Sequence, residues 1–339
     1  MSKQEDVEVH LMSASLSLPS GFEFLLVPYR YLPVGGNSKS ILNMPWTIAT
    51  IARYCRRHNV DIIHTHHRFP ELAAVVASWL CGVRTVTTVH SLLTNWRIVS
   101  YRSQHIISVS DVVRRRIIEH YGREEHRVVR LYNPISPMPR ELPGDVLRLK
   151  NEFGIPIQHR ILLYVGRFDD AKGGPFLAEA FRSNVFEREE LTLLMIGDPS
   201  RKTVGSEVLE NGNLLIIAPP QEDVHRFYYS ADVVILPSIV DAFPYVMLEA
   251  GLACRPFIGS NVDGIAEFIK HGENGLLFPP RSTSEMALFV KQILDDQRAS
   301  AAMAHMLHAN VKGMAGPYEY ARQIVTIYHS HVNDANSTV

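Results

Sequence analysis

Cysteine is scarce in this sequence: Cys55, Cys81 and Cys254 are the three in 339 residues. They are too few and too scattered for a zinc-ligand pattern or a disulfide framework, and they fit a reducing, cytoplasmic setting. Long apolar runs are also missing. The longest, "ELAAVVASWLCGV", is too short and too polar to span a bilayer. The opening "MSKQEDVEVH" is acidic and polar, so it does not read as a secretory signal. Neither charge dominates: 34 Lys and Arg against 35 Asp and Glu give a net charge of −1. That balance leaves no bulk electrostatic reason to expect nucleic-acid binding. Peripheral contact with a membrane is compatible with it.

What is present is an ordinary globular composition, 46% hydrophobic and 20% charged, in a chain long enough for two cores. Short β-branched runs alternate with amphipathic segments. "VDIIHTH" (60–66) reads as a strand and "PELAAVVASWLCG" (70–82) as a helix stopped by Gly82. "VRTVTTVH" (83–90) and "HIISVS" (105–110) are strands, "DVVRRRIIEHYG" (111–122) a helix and "RVVRLYNPI" (127–135) a strand. The pattern pauses at "NPISPMPRELPGD" (133–145), whose four prolines mark a linker. It then restarts with the strands "RILLYVG", "LTLLMIGD", "NLLIIAP", "DVVILPS" and "RPFIGSN", alternating with helices, and ends on helical segments. Alternation of this kind predicts parallel sheets covered on both faces, in two doubly wound domains. Such sheets bind ligands beyond the carboxyl ends of their strands.

Four loops at strand ends are candidates. "YVGRFDDAKGG" (164–174) carries Gly166, Arg167 and Lys172 before a helix, a combination suited to a phosphate but without a P-loop or dinucleotide fingerprint. A solvated surface turn is the plain alternative. "SIVDAFPYVMLEAG" (238–251) places Asp241 before a helix that starts near Pro244, and Glu249 inside it. Proline suits a first helical turn, which would leave the amides of Tyr245 and Val246 free for an anion. Here the alternative is a capping Asp and a solvated Glu. "GSNVDGIAEFI" (259–269) brings Asp263-Gly264 to another helix start, and His90 in "TVHSLL" ends a strand. The "HTHHRF" cluster puts His64 and His66 on one strand face with His67 opposed, but nothing completes a tetrahedral metal site. Arg114, Arg115 and Arg116 read as a solvated helix face or as a basic patch for anionic lipid.

From about Val60 onward these segments, in this order, resemble the family-4 glycosyltransferases, retaining enzymes of the GT-B fold. The resemblance implies two Rossmann-like doubly wound domains facing across a cleft: residues 1–135 on the acceptor side, 136–316 on the donor side. A helix at 317–332 would cross back to the first domain. It also implies transfer of a hexose from a UDP-, GDP- or ADP-sugar to an unidentified sugar or lipid-linked acceptor, with no metal or other cofactor. The family's E-x7-E pair falls on Asp241, for a hydroxyl of the transferred sugar, and Glu249, for the ribose. By the same resemblance Arg167 and Lys172 hold the diphosphate and His90 reaches the donor from the other domain. Gly166, Phe243, Tyr245, Val246 and Gly264 complete the donor site. The implied location is cytoplasmic, with a peripheral place on the inner membrane face left open.

Three departures stand out. The usual first strand and glycine-rich loop are not found, and Gly35-Gly36 comes too late to be that loop. Asp241 is one methylene shorter than the usual Glu. Pro244 stands where a glycine is usual, which bears on sugar choice. A sugar-nucleotide epimerase and a non-catalytic sugar-nucleotide-binding protein are the alternatives. The first would need acid and base groups around the sugar's C2. The second gains weight from the missing first strand.

Overall fold

The computed structural model describes residues 9–12, 24–25, 44–92, 95–139, 145–183, 185–186, 190–198, 200 and 203–333. Most of the first 43 residues, Gly35-Gly36 included, lie outside them. The chain divides into two compact units. Unit 1 comprises Met1–Val109, Val113–Leu131 and Pro317–Val339; unit 2 comprises Ser110–Val112 and Tyr132–Gly316.

Unit 1 begins with β1 (Leu11–Met12), paired in parallel with β2 (Phe24–Leu25). Then follow α1 (Met44–Arg57), β3 (Ile62–Thr65), α2 (Arg68–Cys81), β4 (Arg84–Val89), β5 (His105–Ser108), α3 (Asp111–Glu119) and β6 (Val128–Arg130). The strands lie in the order β3-β4-β5-β6, all parallel. Side chains alternate across a strand, so neighbouring residues serve opposite faces. Ile63 faces the α1–α2 layer, where Ile51, Ala52 and Cys55 meet Ala73 and Ala77. Small alanines let the two helices approach closely. Ile62, Val86 and Ile107 face the other way. Helix α2 stops as expected: Gly82 turns left-handed at φ 75°, and its amide bonds to the Ser78 carbonyl. β6 is shorter than the predicted strand, ending three residues before Asn133.

Unit 2 contains α4 (Asp145–Phe153), β7 (Arg160–Val165), α5 (Gly174–Arg182), β8 (Leu191–Ile196), β9 (Gly205–Val208), β10 (Leu214–Ala218) and α6 (His225–Ser230). It continues through β11 (Val233–Leu236), α7 (Tyr245–Leu252), β12 (Phe257–Ser260), α8 (Asp263–Phe268), β13 (Leu276–Phe278), α9 (Thr283–Asp295) and α10 (Gln297–Lys312). Its seven-stranded sheet has the order β13-β12-β11-β7-β8-β10-β9. β8, β10 and β11 are buried throughout, as continuous apolar strands between two helical layers must be. β9 is antiparallel to β10 and was not visible in the sequence. The order reverses between β7 and β11, and that pair of strands flanks the switch point where open parallel sheets take ligands.

The last helix, α11 (Pro317–Asn333), returns to unit 1, where Ile324 packs on Val86 and Ile107. Among the described residues no helix is long and apolar enough to cross a membrane.

Candidate active site

The loops that leave β7 and β11 are bound to each other at three points. The Ile239 amide donates to the Ala171 carbonyl at 2.9 Å. Gly173 is left-handed at φ 73°, and a Cβ there would lie 2.1 Å from the Pro237 carbonyl oxygen. Only glycine allows that approach. Between these two backbone contacts, Lys172 Nζ donates to Asp241 Oδ2 at 2.5 Å. The Asp241 side chain is 7% exposed, so it is not the solvated cap that the plain reading of its segment allows.

The loop after β12 closes on the same aspartate. The Asp241 amide donates to Asp263 Oδ2 at 3.2 Å, and the Gly264 amide donates to the Asp241 carbonyl at 3.0 Å. A Cβ on Gly264 would lie 2.0 Å from the Ala242 carbonyl oxygen. The Ser238 hydroxyl donates to Asp241 Oδ2 at 3.3 Å, and the Ser260 hydroxyl donates to the Ser238 carbonyl. Three strand-end loops therefore hold one carboxylate and one ammonium in fixed positions.

Helix α7 starts beside this pair. Pro244 takes the N-cap position with extended backbone (φ −75°, ψ 134°), one residue earlier than a first-turn proline. The first amides of α7, those of Tyr245 and Val246, have no acceptor within the helix. One turn in, Glu249 Oε2 accepts the Tyr228 hydroxyl at 2.5 Å. Burial pushes the Glu249 pKa up, and the Tyr228 hydrogen bond and the nearby His225 pull it partly back. Burial, reinforced by the Glu249 charge, raises Tyr245 as well as the fully buried Tyr228. Glu249 is thus not the solvated helix acid of the plain reading.

Other candidates fall elsewhere. The Arg167 side chain is exposed and pairs with Asp169 of its own loop at 3.1 Å, while the other oxygen of Asp169 accepts the Lys172 amide at 2.9 Å. Gly166 follows β7, and its carbonyl would meet a Cβ built on Gly197 at 2.3 Å, so the two strand ends lie close. The Phe243 ring is buried, stacked on Tyr132 at 4.6 Å between ring centres and edge-on to Phe268. Its ring is part of the packing, and only its backbone can face a ligand.

His90 belongs to unit 1, just past β4. Its Nε2 lies 3.2 Å from His66 Nδ1, and the two rings stack. His66 stacks in turn on His64, which lies between the hydroxyls of Thr88, at 2.7 Å, and Tyr328 of α11, at 2.6 Å. Burial lowers His64 to about 3 and His90 to about 4, so both are neutral at pH 7. Among the described residues no group of three or more His, Cys, Asp or Glu could hold a metal ion. Arg114 is tied to the Val128 carbonyl and to Glu125 rather than standing free on a helix face.

Comparison with known proteins bears on this geometry. Residues 3–138 match the family described as Glycosyltransferase Family 4, and residues 159–296 match Glycosyl transferases group 1. The chain belongs to the family-4 glycosyltransferases. The enzyme is 27% identical over 301 residues to N-acetyl-alpha-D-glucosaminyl L-malate synthase of Bacillus anthracis, covering 84% of this chain and 78% of that protein. It is 28% identical over 302 residues to the D-inositol 3-phosphate glycosyltransferase of Acidothermus cellulolyticus, covering 77% and 67%. Among solved structures, HepE of Anabaena in complex with UDP-glucose superposes with a TM-score of 0.73 at 20% identity, covering 84% of this chain and 82% of HepE. Sucrose-phosphate synthase of Thermosynechococcus elongatus gives 0.75 at 18% identity, covering 96% and 89%. The glycosyltransferase has the GT-B fold of these neighbours.

Proposed function

We propose that this glycosyltransferase moves a hexose from a nucleoside-diphosphate sugar to an acceptor hydroxyl, with retention of anomeric configuration and without a metal ion. The observation that carries the proposal is the Lys172–Asp241 contact at the switch point of the unit 2 sheet. It joins a cation suited to a diphosphate and a buried carboxylate suited to a sugar hydroxyl, a few ångströms apart. Structures of HepE with UDP-glucose and with UDP add support for a nucleotide-sugar donor.

In this reading the diphosphate lies against Lys172, Gly166 and the amides of Tyr245 and Val246 at the start of α7, with Arg167 at the outer edge. A cation and a helix end are aimed where negative charge grows as the glycosidic bond breaks. Asp241, held by three loops, orients the hexose through a hydroxyl, with the Gly264 turn beneath it. Glu249, kept in place by Tyr228, accepts the ribose hydroxyls. The bond from the anomeric carbon to the phosphate oxygen breaks, and the acceptor oxygen bonds to the same face. The acceptor's proton passes to the departing phosphate. No protein nucleophile is needed.

Lys172→Ala should lower donor turnover by on the order of 10²-fold, as loss of one preorganised charge-stabilising group does. Lys172→Arg, which keeps the charge, should lose less. Turnover measured against UDP-, GDP- and ADP-hexoses checks this, and an unchanged rate in Lys172→Ala would contradict the phosphate role.

A further inference from the structure

Helix α2 is apolar on both sides. Its inner face, Ala73, Ala74 and Ala77, is buried in unit 1. Phe69, Leu72 and Val76 are half-buried beside it, and the last turn carries the exposed apolar side chains Trp79 and Leu80. Trp79 is 78% exposed and Leu80 is 53% exposed. A helix that covers a sheet ordinarily turns charged residues to water, and α2 has almost none to turn. Its one acid, Glu71, is fully buried and accepts the amides of Tyr101 and Ser103.

Helix α1 supplies the charge at the border. It packs beside α2 through Ile51, Ala52 and Cys55. Arg56 donates to the Leu80 carbonyl, so the end of α1 adjoins the Trp79–Leu80 end of α2. Arg53, Arg56 and Arg57 are all exposed, and Trp46, 53% exposed, shares their helix face. From Met44 to Cys81 the only acid besides Glu71 is Asp61.

That charge decides the occupant. Pairing two copies through this face would crowd both sets of arginines into one interface. An anionic bilayer is complementary at every point. Leucine and tryptophan enter the boundary between headgroups and acyl chains, tryptophan is favoured at headgroup level, and arginines bind lipid phosphates. We propose that the α1–α2 face of unit 1 docks on an anionic lipid surface through Trp79, Leu80 and Trp46, with Arg53, Arg56 and Arg57 on the lipid phosphates. The proposal does not depend on the donor chemistry.

Flotation with vesicles tests it on the full chain. The protein should float with phosphatidylcholine–phosphatidylglycerol vesicles and far less with phosphatidylcholine alone. Trp79→Ser combined with Leu80→Ser should weaken binding by roughly tenfold or more. Arg53→Gln and Arg57→Gln should each weaken it about fivefold. The arginine variants keep the test sharp if the serine pair folds poorly, because both sites are exposed. Failure of the wild-type chain to float, or arginine variants that bind as well as wild type, overturns the proposal. So does a dimer in gel filtration that the serine pair dissolves, since a second copy would then own the face.

Discussion

The Tyr228 hydroxyl does two things for Glu249: it fixes one carboxylate oxygen and favours the charged form against burial. Tyr228→Phe removes that favour, so the Glu249 pKa should rise further. The ionised carboxylate is the form suited to accept ribose hydroxyls. The acid limb of the kcat/KM profile should therefore move to higher pH in the variant, and an unmoved limb would deny Glu249 this role. At this scale the sequence was half legible. The spacing of Asp241 and Glu249 pointed to them once the family pattern was noticed. Tyr228 was not legible, because its partner lies 21 residues away and the contact exists only after α6 and α7 meet. Glu71 was not legible either. It looks like a first-turn acid facing water, yet it is buried against the Tyr101–Ser103 loop.

Glycine positions show how tightly the strand-end loops are set. Gly173→Ala would face both a left-handed backbone and the Pro237 carbonyl oxygen at 2.1 Å. Gly122→Ala would face only the left-handed backbone (φ 64°), with nothing within 4 Å of its Cβ. The first should lower stability by at least about 2 kcal/mol and the second by about 1 kcal/mol. Urea titrations of both variants measure the difference. Gly173→Ala should also lower turnover, because Lys172 moves with that backbone. Most elements could be read from β-branched runs and helical spacing, since buried parallel strands are nearly all apolar. β9 could not. Its residues, Gly205, Ser206, Glu207 and Val208, show no apolar face, and the strand exists by pairing with β10. α4 was obscured by the prolines just before it, which drew attention to a linker. In unit 1 the expected glycine-rich loop had no legible counterpart, and Gly35-Gly36 lie outside the described residues.

The return of α11 makes unit 1 discontinuous in sequence, with unit 2 enclosed between its parts. Deleting residues 317–339 would uncover Val86 and Ile107 and remove the Tyr328 hydroxyl from His64. In calorimetry the unit 1 transition should fall or vanish while that of unit 2 persists; a common loss of both would contradict the division. The crossing helix was foreseen only through the family resemblance, because nothing in "PYEYARQIVTIYHSHV" itself says which sheet its apolar stripe will cover. The arrangement also bears on synthesis. Domains ordinarily finish folding in the order in which they leave the ribosome. Here the earlier parts of unit 1 wait for α11, which follows unit 2, so unit 2 can complete its core while unit 1 still lacks one layer. During that interval Val86 and Ile107 lack the cover of α11, and unit 1 is the part of the nascent chain most exposed to chaperones and proteases.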